Sequence, residues 1–301
     1  MLHQWWIVVA GLAACTSARP NVTPAPSFRT EVVMLGTGNP LPDPERSGPS
    51  TAVVVDGVAY LFDVGPGVVR RAAAAALRYK LEALAPENLR FVFVTHLHSD
   101  HTLGYADVIF TPWVVGRGVP LEVYGPPGIA KMTEHLREAY AEDIAIRTGA
   151  EHDSVEGSMV NVHEIVAGPI YKDDHVRITA FAVKHGTWKH AFAYRIEGPD
   201  RTIVITGDYA LPADAIIAAC AGCDVLVSEG YPATLAAGPR GPYLRDFHVS
   251  AEQLGTIATA ARAKLVVHTH RRNDVSDAAL LAEIRRGYAG RIVMAKDLDR
   301  L

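Results

Sequence analysis

The stretch Phe91-Val92-Phe93-Val94-Thr95-His96-Leu97-His98-Ser99-Asp100-His101 decides how this chain is read. Its first four residues are aromatic or β-branched and read as a buried strand. The strand then delivers three imidazoles and a carboxylate on one loop. Imidazole nitrogen and carboxylate oxygen bind borderline divalent metals at neutral pH, zinc above all. Desolvating four such groups together without a shared counter-charge is costly. A solvated loop that happens to be rich in histidine is the competing reading, and the ligand-like spacing speaks against it.

The surrounding chain has 301 residues and is 49% apolar, enough for a large core in one large domain or two small ones. Its net charge is -4, from 29 basic and 33 acidic residues, and no Lys/Arg run suggests a nucleic-acid arm. Bulk charge therefore does not favour a polyanion such as tRNA. Three cysteines do not make a disulfide scaffold.

The first residues form a separate unit. Trp5 to Ala14 is uncharged, apolar and too short to span a bilayer as a helix, like the core of a secretion signal. It runs into Leu12-Ala13-Ala14-Cys15, which resembles the lipobox of bacterial lipoproteins, although Met1-Leu2-His3-Gln4 carries no Lys or Arg. That resemblance implies a signal peptide over 1–14, a lipid anchor on Cys15 and a place in the bacterial cell envelope, facing the periplasm. Residues 16–27 carry Pro20, Pro24 and Pro26 and read as a tether. The remaining 28–301 form the folded domain.

Within it, strands are expected over 31–35, 51–55, 58–62, 91–94, 121–124, 176–183, 191–196, 202–205, 225–227, 265–267 and 292–294. Asp56-Gly57 suits a two-residue hairpin turn. Helices are expected over 68–84, 128–141, 213–219 and 278–286. A further helix starts after Ser250, with Gln253 completing a capping-box pattern. Strands in both halves with interspersed helices suggest two sheets with helices outside them. Cys220 and Cys223 fall at a helix end, away from the helix N-terminus that activates a redox thiolate. They read as small buried residues, with oxidation open to an exported protein.

Further ligands should also stand where strands end, because loops at one sheet edge converge. His185, Asp208 and His270 each stand just beyond such a run. With these in view the chain resembles the metallo-β-lactamase superfamily over nearly all of residues 30 to 296, and most of all ribonuclease Z and its arylsulfatase-like relatives. The residues that carry the likeness are Leu35-Gly-Thr-Gly38, Phe62-Asp63-Val-Gly65, the His96–His101 motif, Tyr124-Gly-Pro126, His185-Gly186, Ala191-Phe-Ala-Tyr194-Arg-Ile196, Gly207-Asp208, His248 and His270.

The resemblance implies an α+β fold, a four-layer αββα sandwich with metals at one edge of its two sheets. It assigns His96, His98 and His185 to one metal, Asp100, His101 and His270 to the other, and Asp208 to both. The metals implied are two Zn2+, with iron or manganese as alternatives. Asp63 resembles the buried carboxylate that orients the histidine loop. His190 competes with His185, and His268 with His270. Motif context prefers His185, and His268 reads as a core histidine.

His248, before the capped helix, and Glu229, after a strand, resemble the pair that protonates the leaving group in the ribonuclease Z setting. Asp100, His248 and Glu229 are thus the catalytic candidates. Trp113, Trp188, His190 and the segment from Tyr231 to Tyr243 are expected to line the pocket.

Metal coordination lowers the pKa of water to roughly 7, so a hydroxide bridging two metals is a nucleophile at neutral pH. The first expectation is an exported dinuclear zinc hydrolase of small phosphodiesters, sulfate esters or related esters. A ribonuclease Z-like endonuclease or phosphodiesterase is the alternative. Against tRNA stand the export signal and the spacing of 23 positions between His185 and Asp208, too short for the family's tRNA-gripping arm. A mononuclear iron persulfide dioxygenase is a further alternative, whereas diiron oxidases of this fold carry Glu where this chain has His98. A non-enzymatic metal-binding lipoprotein would not need Asp100, Asp208 and Glu229 together. Dimers are common among such relatives, and the sequence leaves both monomer and homodimer open.

Overall fold

The computed structural model describes residues 29–301. The expected signal, Cys15 and the tether lie outside the described residues. Among the described residues, no helix is long and apolar enough to cross a membrane.

The first half contains β1 (Thr30–Gly36), β2 (Ser50–Val55), β3 (Val58–Phe62), α1 (Val68–Tyr79), β4 (Phe91–Phe93), α2 (Ser99–Thr102), α3 (Tyr105–Val114), β5 (Leu121–Gly125), α4 (Ile129–Ala139), α5 (Ala141–Gly149) and β6 (Val160–Glu164). The second contains β7 (Gly168–Lys172), β8 (Arg177–Ala182), β9 (Phe192–Glu197), β10 (Thr202–Ile205), α6 (Asp214–Cys220), β11 (Val225–Ser228), α7 (Gly241–Phe247), α8 (Ala251–Ala260), β12 (Leu265–His268), α9 (Asp277–Gly287) and β13 (Arg291–Met294). Each half builds one sheet. The orders are β1-β2-β3-β4-β5-β6 and β13-β12-β11-β10-β9-β8-β7. Pairing is antiparallel from β1 to β3 and from β7 to β10, and parallel from β3 to β6 and from β10 to β13.

Near-continuous apolar runs in β1, β2 and β4 follow from burial on both faces. Val32, Met34, Val53, Val55, Phe62 and Phe93 meet Ile178, Tyr194, Ile196, Ile203, Val225 and Val267 of the other sheet. The alternate residues Val33, Leu35, Ala52, Val54 and Val92 pack with α1 and α3. On the far side, Val204, Leu226 and Val266 pack with α6, α8 and α9. The layers are therefore αββα. Asp56 (φ 47°) and Gly57 (φ 83°) both adopt left-handed backbone, which makes the tight turn between β2 and β3.

Several elements depart from the sequence reading. The helix expected over 68–84 stops at Tyr79, where Lys80 turns left-handed (φ 56°), and a single 3-10 turn follows at Glu82–Leu84. The helix expected over 128–141 is α4, and α5 continues beyond it after Tyr140. Cys220 and Cys223 are buried as expected, and they are bonded to each other at the end of α6.

Candidate metal centre and its neighbouring acid

Strands β3, β4, β10, β11 and β12 end at the same edge of the sandwich, and the residue types singled out in the sequence follow them directly. After β3 comes Asp63, itself in left-handed backbone (φ 58°). Its Oδ1 accepts from the Thr95 backbone N–H at 2.8 Å, and its Oδ2 accepts from the Thr95 hydroxyl at 2.9 Å. The same Oδ2 lies 2.8 Å from His101 Nδ1. One buried carboxylate thus fixes both ends of the loop that carries the histidines. After β10, Gly207 (φ +57°) turns the chain so that Asp208 points into the centre, and a Cβ on Gly207 would lie 2.7 Å from that of Thr95.

Two groups of ligand atoms carry the residues expected from the sequence, and Asp208 reaches both; a third group joins Asp208 and His270 to Glu229. In the first, His98 Nδ1 lies 2.9 Å from His96 Nε2 and 3.1 Å from His185 Nε2. Asp208 Oδ2 is 3.9 Å from His96 Nε2. In the second, Asp100 Oδ2 lies 3.1 Å from His270 Nε2 and 3.6 Å from His101 Nε2. Asp208 reaches both His101 and His270 at 3.5 Å. His101 Nε2 is buried without a hydrogen-bond partner although two carboxylates flank it. An unpartnered buried nitrogen and converging carboxylates fit a metal ion better than they fit one another. These groups could hold metal.

Electrostatics follow the same logic. Burial, reinforced by His185, pushes His98 down to about 4. Burial opposes ionisation of Asp208, yet His270 and His101 hold its carboxyl well below the usual range. Burial keeps His96, His98 and His185 as neutral imidazoles, whereas at His101 and His270 the flanking carboxylates outweigh burial and raise the ring, the electrostatic place a cation would take.

Beside the ligands stands His248. Its Nδ1 lies 2.7 Å from Glu229 Oε2, whose other oxygen accepts from the Tyr209 backbone N–H at 3.0 Å. Burial works against the imidazolium, but Glu229 overrides it and lifts His248 to about 9. Its Nε2 faces the Tyr243 hydroxyl at 3.4 Å. Both open onto a cavity of about 390 Å³ that reaches the ligands at His98, Asp100, Asp208 and His270. Tyr231, Leu235, Tyr243 and Leu244 form one wall, Leu41 and Val275 another. The sequence reading contained the tyrosine wall. It missed Leu41, which lies close to Gly38 of the first motif, and Val275, whose nearness to His270 was the available signal.

His185 joins the cluster, while His190 is exposed in a separate cleft with Leu97 and Pro126. His268 is buried with Nε2 2.9 Å from the Gly230 carbonyl, a core histidine. Trp188 borders that separate cleft and touches His98. Trp113 is a correction. It packs with Phe110 in the core under α3, and its indole N–H donates to the Ser154 carbonyl at 2.7 Å. It lies on the buried helical face and lines no part of the cavity.

The chain belongs to the metallo-β-lactamase superfamily, whose β-lactamase superfamily domain matches residues 59–271. Its homologues include a ribonuclease Z from Mycobacterium bovis (strain BCG Pasteur), 33% identical over 280 residues that span 90% of this chain and 97% of that one. Among solved structures, the metallo-β-lactamase fold protein YhfI from Bacillus subtilis superposes with a TM-score of 0.70 at 19% identity, over 90% of this chain and 99% of that one. The short form of human tRNase Z gives 0.67 at 21% identity, over 90% and 98%. These two likenesses speak to the fold. The family and its ribonuclease Z homologues make the chain a metal-dependent hydrolase.

Proposed function

We propose that the chain is a two-zinc phosphodiesterase of the ribonuclease Z kind. The observation that carries this reading is the His248–Glu229 pair, bonded at 2.7 Å beside the His/Asp cluster and open to the cavity. A phosphodiester needs two things at such a site: anion-binding charge at phosphorus and a proton for the departing oxygen. His96, His98, His185 and Asp208 would hold one metal, Asp100, His101, His270 and Asp208 the other. Bound metals would supply an acidified water and a Lewis acid. Glu229 keeps His248 protonated and fixes its ring, so the Nε2 proton faces the cavity. Tyr243 and Leu244 would shield that proton from bulk water.

The ribonuclease Z homologue supports this reading over the small-ester hydrolase expected from the sequence. The short spacing between His185 and Asp208 is also compatible with this reading. Here β9 and β10 form a plain hairpin between His185 and Asp208. The mycobacterial relative aligns over 97% of its length with a chain of this size, which leaves it no room for a long insertion either.

The test is turnover by zinc-loaded protein on a dinucleotide, bis(p-nitrophenyl) phosphate, a pre-tRNA with a 3′ trailer, an aryl sulfate and a carboxylic ester. Phosphodiester cleavage that dominates, and that is lost in Asp208→Ala, is the expected result. Preference for the sulfate or carboxylic ester would refute the proposal. Export, lipid anchoring and a homodimer remain proposals carried by the sequence features and the resemblance described above.

A further inference from the structure

Trp188 follows His185 in a tight turn, and its backbone N–H donates to the His185 carbonyl at 3.0 Å. Its ring stands edge-on to His98, with centroids 4.9 Å apart at 85°. The indole Nε1 lies 2.7 Å from His98 Nε2. The opposite nitrogen, His98 Nδ1, is the one that faces His96 and His185.

An indole N–H donates and cannot accept. The contact therefore uses a lone pair on His98 Nε2, and a neutral imidazole with its lone pair there carries its hydrogen on Nδ1. A metal held through Nδ1 needs the reverse arrangement, with the hydrogen on Nε2. Two N–H groups would then face each other across 2.7 Å. Three other imidazoles of the cluster show the ordinary pattern. His96 has the Thr95 hydroxyl behind it, His101 the Asp63 carboxylate and His185 the Phe247 carbonyl, all able to accept. His98 has a donor behind it.

We propose that Trp188 is a positioning residue for His98, a latch whose indole N–H favours the non-ligating arrangement of that ring and is released when metal is bound. The adjoining cleft of about 420 Å³, lined by Leu97, Pro126, Pro127 and His190, gives the half-buried indole room to move. The inference rests on the metal reading of His96, His98 and His185 and goes beyond it, because it concerns how readily that site loads.

Trp188→Phe keeps a ring and removes the donor. Zinc affinity, measured by competition with a chromophoric chelator, is expected to tighten by about twofold to tenfold, the range of one neutral hydrogen bond. The second readout is tryptophan emission during zinc titration. In protein beginning after the expected signal segment, which removes Trp5 and Trp6, the wild type is expected to change and Trp188→Phe to remain flat, since Trp113 is buried in the core away from the cavity. Equal or weaker zinc affinity in Trp188→Phe overturns the inference. So does an emission response that is the same in both proteins. A wild type that takes up no zinc at all would defeat the metal reading first, and this inference with it.

Discussion

Replacing His248 with alanine separates the acid from the metals. His248 lies in neither metal-ligand group proposed above, so metal content should be unchanged in His248→Ala. Glu229 lifts the His248 pKa above the ordinary imidazole value, which favours the protonated ring at pH 7. Removing a general acid in that state costs about 10²–10⁴-fold in rate when the leaving group needs its proton. A ribose alkoxide needs it. A p-nitrophenolate is stable at neutral pH, and its departure should slow by about tenfold or less. The assay measures kcat on a dinucleotide and on bis(p-nitrophenyl) phosphate, using the same preparations, with zinc content determined in each. Equal losses on the two substrates with full zinc content would refute the acid role and leave His248 as a structural or phosphate-binding group.

Glu229→Gln keeps the shape and removes the charge that raises His248. Activity that depends on the imidazolium should fall in the wild type as pH rises through about 9, and the fall should move to lower pH in the variant, read from kcat–pH profiles. The same raised pKa stabilises the fold below the unfolded-state value of about 6.5. That stabilisation is lost as pH climbs through about 9, so the drop in Tm between these values should be larger in the wild type than in Glu229→Gln. Asp63→Asn gives up an acceptor shared by Thr95 and His101 and should weaken zinc binding about 10- to 100-fold in chelator competition. Gly207→Ala forces a side chain into left-handed backbone and against Thr95, and should cost about 2 kcal/mol or more in urea unfolding.

Much of the fold and most of the centre could be read from the chain because most ligands follow apolar strands buried on both faces. Such strands announce themselves as continuous Val, Ile and Phe runs, and the polar residue after them stands out. Asp208 and His270 are legible for that reason, while His185 follows β8, whose alternation marks a strand buried on one face. What escaped lies where local signals are weak. Strands β6 and β7 sit at sheet edges and are only partly buried, and β7 begins Gly168-Pro169. Helix α3 carries Pro112 and a run of β-favouring residues, so its helical state depends on packing under the first sheet. Trp113 lies on that helix, whose buried face turns the indole into the core and away from the cavity. The cavity wall beyond the tyrosines depends on which loops meet at the edge, a property of topology that no single segment encodes.

The wall of the cavity also has a bearing on how such a protein could change its substrate. The segment from Gly230 to Phe247 begins just after β11 and ends with α7, just before the loop that leads into α8, and the flanking Glu229 and His248 are joined by a 2.7 Å hydrogen bond. That bond pins the two ends together, and at the far end the Phe247 carbonyl, 2.6 Å from His185 Nδ1, ties the segment to the cluster. Lengthening such a loop costs only about 0.6 kcal/mol per doubling. Tyr231, Leu235, Tyr243 and Leu244 could therefore be exchanged as one cassette. The specificity of the cavity is free to drift while the acid and the His/Asp cluster stay in register.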